Sequence, residues 1–150
     1  MRLRRRTMMA GLAVAPWCGG AQAEDVASPV PGKRVALRGY DPVAYFTDGR
    51  PVPGDPRFWY EFDDTVYMFA SAAHRTLFVA NADHFAPQFR GFCTLSISEG
   101  GNAEGMPENW KIVNGTLFVF GNSYGSDEFA KDPARYTALA KTNWATLQPK

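Results

Sequence analysis

Residues Tyr67–Cys93, YMFASAAHRTLFVANADHFAPQFRGFC, decide how the chain is read. The stretch leaves a run of β-formers, Thr65–Phe69, and meets Ser71, a residue that caps helices by accepting a free amide. A helix is expected from Ala72 to about Asn81. On it His74, Leu77 and Phe78 stand at i, i+3 and i+4, so one face should carry all three. Phe85, Phe89 and Phe92 follow in a segment broken by Pro87 and Gly91. The stretch holds both histidines, His74 and His84, and ends on Cys93.

Working backwards, Arg57–Glu61 and Thr65–Phe69 flank Asp63-Asp64 and predict a β-hairpin. Gly54-Asp55-Pro56 is a turn. Gly39–Phe46, GYDPVAYF, reads as a short helix, with Asp41 as cap, Pro42 at the first position and Gly49 as terminator. Working forwards, Cys93–Glu99 is expected to be helical and Gly100–Pro107 a loop. Trp110–Val113 and Thr116–Phe120 flank Asn114-Gly115, a strong hairpin signal. A helix opens at Ser126 or Asp127, and Asp132-Pro133 starts a last one to about Thr142. No internal repeat stands out. Short hairpins interleaved with helices make an α+β single domain.

At 150 residues, 45% hydrophobic and 14% aromatic, the chain can form one domain with a core of large rings. Residues 1–23 read as a signal peptide. Arg2, Arg4, Arg5 and Arg6 form a positive region, Met8–Val14 is apolar, and Ala21-Gln22-Ala23 is a cleavage signal. The order Arg5-Arg6-Thr7-Met8-Met9 also fits the twin-arginine route. An exported chain, periplasmic or secreted by the Sec or twin-arginine route, is expected. Residues 24–34, with Pro29, Pro31 and Gly32, read as a linker, and 35–150 as the domain. Loss of four arginines leaves 12 basic and 15 acidic side chains, 12 − 15 = −3. That mildly acidic balance argues against nucleic acid as partner. No apolar run is long enough for a transmembrane span.

Cys18 would leave with the signal, so Cys93 would have no internal disulfide partner. In an oxidising compartment such a thiol is buried and inert, a metal ligand, a reactive group, or a link to another chain. A thiolate and an imidazole together suit a soft or borderline metal ion, copper above all, which pairs Cys93 with His74. One Cys and two His cannot supply a closed structural zinc site. The same pair could serve as nucleophile and base, with Asp41 orienting the histidine. His74 alone could equally be a core residue, and His84 a solvent-side loop or cap residue. Tyr40 and Asp41, or His84, could line a site beside His74.

Around Tyr67–His74 the chain resembles the YHS domain family, whose pattern is an aromatic strand ending Phe-Cys-Ser-x-x-Cys, then a helix with a Phe. Phe69, Ser71, Phe78, Pro87 and Phe89 fit that outline, and Asp41-Pro42-Val43 resembles the family's opening Asp-Pro-Val-Cys. Ala36–Trp144 as a whole resembles the exported, single-cysteine branch, which carries Gly-Tyr-Asp-Pro-Val-Ala-Tyr-Phe early and an aromatic Gly-Tyr-Cys later, here Gly91-Phe92-Cys93. The resemblance implies a YHS-like fold and a heavy-metal-binding module. Two of the family's three cysteines fall on Ala44 and Ala70, and the third on His74. The expected function is therefore a non-enzymatic binding domain that takes copper through Cys93 and His74. The alternatives are a metal-free scaffold for a protein partner or small molecule and, third, a Cys–His thiol enzyme.

Overall fold

The computed structural model describes residues 26–148; the expected signal peptide lies outside them. The fold is α+β, built from two antiparallel two-stranded sheets and short helices. The first sheet pairs β1 (Asp55–Phe62) with β2 (Thr65–Phe69), and the second pairs β3 (Met106–Val113) with β4 (Thr116–Phe120). Asp63 and Asp64 both take positive φ in the first turn, as Asn114 and Gly115 do in the second. That conformation matches the twist of a two-residue hairpin.

The helices are α1 (Ala44–Thr47), α2 (Ala72–Ala80), α3 (Ala82–Phe85), α4 (Thr94–Ser98), α5 (Ser123–Lys131) and α6 (Pro133–Leu147). Ser71 caps α2 by accepting from the His74 amide at 3.1 Å. Asp132 caps α6, with Pro133 in its first turn. β1 and β3 begin earlier than expected, at Asp55 and Met106, inside the expected turn and loop, and three helix boundaries differ too. α1 starts only at Ala44, because the Asp41 amide is held by the Val52 carbonyl at 2.9 Å instead of starting a helix. α5 opens at Ser123, because the Asn122 side chain caps it earlier than Ser126 could. α6 runs past Thr142 to Leu147, its outer turns carrying Trp144 and Leu147 onto the core.

The chain also repeats itself, contrary to the sequence reading. Each half runs 3₁₀ turn, short helix, hairpin, helix, helix. The pairings Asp55–Phe69, Trp59–Met68 and Phe62–Thr65 recur 51 positions on as Met106–Phe120, Trp110–Val119 and Val113–Thr116, with the same bulge after the first pair. The capping amides, His74 on Ser71 and Gly125 on Asn122, keep that spacing. Before the hairpins the spacing is 52. The turns Ala36–Gly39 and Gln88–Gly91 place Leu37-Arg38 and Phe89-Arg90 in the left-handed region, φ 49 to 54°. Non-glycine residues pay roughly 1–2 kcal/mol each for that conformation, so its double occurrence marks a shared scaffold. Gly54 and Gly105 correspond as well. A Cβ on either would lie 2.6 Å from the carbonyl oxygen of Gly39 or Gly91, so the strand can meet the turn only at glycine.

Two aromatic centres hold the halves. Phe78 of α2 packs on Tyr67 and Phe69, with ring centroids 5.0 Å away, and more distantly on Tyr60 and Phe62. Phe129 of α5 does the same with Phe118 (4.9 Å) and Phe120 (5.1 Å). Strand alternation divides β4 between the cores. Leu117 and Val119 join the first cluster, while Phe118 and Phe120 join the second. The second hairpin is thus packed on both faces. The Tyr45 hydroxyl adds a cross-half tie, donating to the Pro107 carbonyl at 2.8 Å.

Candidate functional site

Asp41 is fully buried, and its carboxylate is the hub of the first half. Oδ1 accepts from the Val43 amide at 2.8 Å. Oδ2 accepts from the Ala70 amide at 2.8 Å and lies 2.6 Å from His74 Nδ1. An acceptor-only carboxylate makes the imidazole the donor, so Nδ1 carries its proton there and Nε2 is turned the other way. The local sequence builds this directly. Asp41 ends the extended segment after the first turn, Ala70 follows β2, and Ser71 capping sets the first turn of α2, from which His74 reaches back. The His74 side chain is 19% exposed, and its Nε2 lies 3.5 Å from Thr47 Oγ1. Thr47 Oγ1 also lies 2.8 Å from Asp48 Oδ1, so α1 supplies the polar rim.

The expected face of α2 is narrower than its sequence suggested. Phe78 packs on the hairpin and His74 on Asp41, but Leu77 is 45% exposed. Successive residues turn by about 100°, which carries Leu77 off a stripe centred on Phe78. Tyr40 sits half-buried in a bridge with Pro53 and packs on the first cluster. His84 is exposed and stacks between Phe46 and Phe85, 4.7 Å from each ring. Burial holds the Tyr45 phenol above its ordinary range, so it remains a neutral donor.

Cys93 belongs to the other half. It is 6% exposed, in the cluster of Leu95, Phe120 and Phe129, just before α4. Among the described residues no hydrogen bond joins its thiol to an imidazole, and no group of three or more His, Cys, Asp or Glu side chains gathers to hold a metal ion. The repeat explains this. At Cys93 the pattern of the first half is kept, with its amide on the Ala103 carbonyl at 2.8 Å as that of Asp41 is on Val52. The positions matching Ala70 and His74 are Gly121 and Gly125. A Cβ on Gly121 would lie 3.9 Å from Cys93 Sγ, an ordinary contact, so the sulfur packs beside this glycine where the first half has Ala70 beside Asp41. The structure therefore gives His74 a carboxylate partner and sets Cys93 among apolar side chains of the second cluster.

Thr47 and Asp48 were not singled out from the sequence. Thr47 is marked only by its approach to His74 Nε2, and Asp48 only by its bond to Thr47; no motif announces either. Compared with family models, curated proteins and solved structures, the chain shows no match.

Proposed function

We propose that the chain is a non-enzymatic binding domain of YHS type whose working group is the Nε2 of His74. The observation that carries this is the buried Asp41–His74 hydrogen bond, which fixes the tautomer and leaves one nitrogen facing the Thr47–Asp48 rim. A carboxylate behind an imidazole is the arrangement that orients histidine toward metal ions. A soft or borderline ion, copper above all, is accordingly the ligand proposed, with water or a partner completing its shell. Cys93 is left out of the site. The test is cupric and zinc ion titration by calorimetry of the wild type, His74→Ala and Cys93→Ser. Binding that survives Cys93→Ser and is lost in His74→Ala supports the reading; binding that survives His74→Ala ends it.

A second reading, the metal-free scaffold, is favoured by α2 itself. Leu77, 45% exposed on the helix that carries His74, would give a protein partner apolar contact. It predicts no metal response in any of the three proteins.

A further inference from the structure

Arg38 and Arg90 occupy one position in the two halves, with nearly the same left-handed backbone, φ 49° and 53°. Their guanidinium groups differ. Arg90 grips Asp63 in the first hairpin turn through Nε at 2.9 Å and Nη2 at 3.0 Å, and lies over Trp144. The residue matching Asp63 in the second turn is Asn114, which has no charge to offer. Among the described residues Arg38 makes no ion pair, and its Nε is buried without a hydrogen-bond partner. An unpaired buried group of this kind is rare in folded proteins and calls for a water or an ion.

Arg38 lines a cavity of about 320 Å³ with Ser28, Lys33, Arg34 and Glu104 among its walls. Three cations there face one carboxylate. Arg34 already engages Glu104 through two hydrogen bonds, at 2.7 and 2.5 Å, and stacks on Phe92. Lys33 is held by Asp64 and Glu61. Ser28 Oγ accepts from the Val30 amide and keeps its own proton to donate. Among the described residues, the charge in this cavity left without a counterpart is that of Arg38. A guanidinium presents a planar fork of donors that matches the oxygens of a carboxylate or phosphate group. We propose that this cavity binds a small oxyanion, a phosphate- or carboxylate-bearing molecule, with Arg38 as the fork and Lys33 and Ser28 at the rim.

The proposal is tested by calorimetry with inorganic phosphate and with succinate, on the wild type, Arg38→Gln, Arg38→Gly and, as a control, Arg57→Gln, whose arginine pairs with Asp55. Saturable binding of at least one probe, weakened at least about tenfold in both Arg38 variants and unchanged in Arg57→Gln, is expected. The preferred probe tells phosphate from carboxylate. Arg38→Gly relaxes the left-handed backbone and should raise the unligated melting temperature, so loss of binding in it cannot be put down to unfolding. No saturable binding of either probe to the wild type, or undiminished binding in the Arg38 variants, overturns the proposal.

Discussion

Asp41 and Cys93 stand at the same point of two copies of one half-fold. Each sends its amide to a carbonyl on the segment before its hairpin, Val52 at 2.9 Å for Asp41 and Ala103 at 2.8 Å for Cys93. What they do there has diverged. Asp41 gathers two amides and an imidazole onto a buried carboxylate, whereas Cys93 packs in an apolar cluster beside Gly121. Two differences go together: Asp41 with His74 in one half makes a buried polar hub, and Cys93 with Gly125 in the other makes packing.

Asp41→Asn should therefore destabilise the protein by about 2 kcal/mol, since a carboxamide cannot accept from three donors and turns an N–H toward one of them. The His74 ring should lose its fixed tautomer. Urea unfolding and the nitrogen shifts of His74 measure the two effects. A variant as stable as the wild type would mean that the hub carries no net stabilisation.

Phe78→Ala and Phe129→Ala should each cost about 3–5 kcal/mol, because each removes the ring at the centre of its half's aromatic cluster. Near-equal losses, read by denaturant unfolding with an unchanged m-value, are the expected outcome of the repeat. One large and one negligible loss would show that only one half depends on its central ring.

Asp55 pairs with Arg57 at the start of β1, beside the bulge, and hydrogen bonds from the Arg57 side chain and amide lower its pKa from 3.8 to about 2. A carboxylate with a lowered native pKa adds stability above its unfolded value and loses it as pH falls through the native one. Its contribution should be complete above about pH 4 and fade between pH 4 and 2. Carboxyl carbon shifts followed by NMR should titrate near pH 2 in the wild type and higher in Arg57→Gln, part of the way back to the ordinary value, because the amide of residue 57 still donates to Asp55.

The Cys93 thiol should react with a neutral alkylating reagent only as fast as the second half opens, because 6% exposure leaves it no direct path to solvent. Mass spectrometry of the native and urea-unfolded protein should show slow labelling of the first and prompt labelling of the second. Equally fast labelling of both would place the sulfur at the surface.

Local rules made several elements legible. Asp63-Asp64 and Asn114-Gly115 announced both hairpins because a two-residue loop must have residues that tolerate positive φ. Ser71 and Asp132-Pro133 announced two helix starts because capping is settled within four residues. The repeat was not legible. Over residues 54–85 and 105–136 only Gly54, Pro56, Trp59, Thr65, Phe69 and Phe78 recur in kind at the matching position, six of 32. Many of the others change polarity or size outright, as Asp55 and Met106, His74 and Gly125, and Leu77 and Glu128 do, so nothing in the sequence pattern links the halves.

From its own residues the chain determined an α+β fold of hairpins and short helices, with its titratable chemistry concentrated around Tyr67–Cys93. Tertiary structure alone decided who meets whom. Asp41 reaches His74 across 33 positions because the turn, the end of β2 and the capped start of α2 converge, while Cys93 is carried off by the second copy of the same design. Spacing along a sequence fixes neighbours within a turn or a hairpin. Neighbours across the fold are fixed by which apolar faces must be buried against each other, and here β4, buried on both sides, set that arrangement.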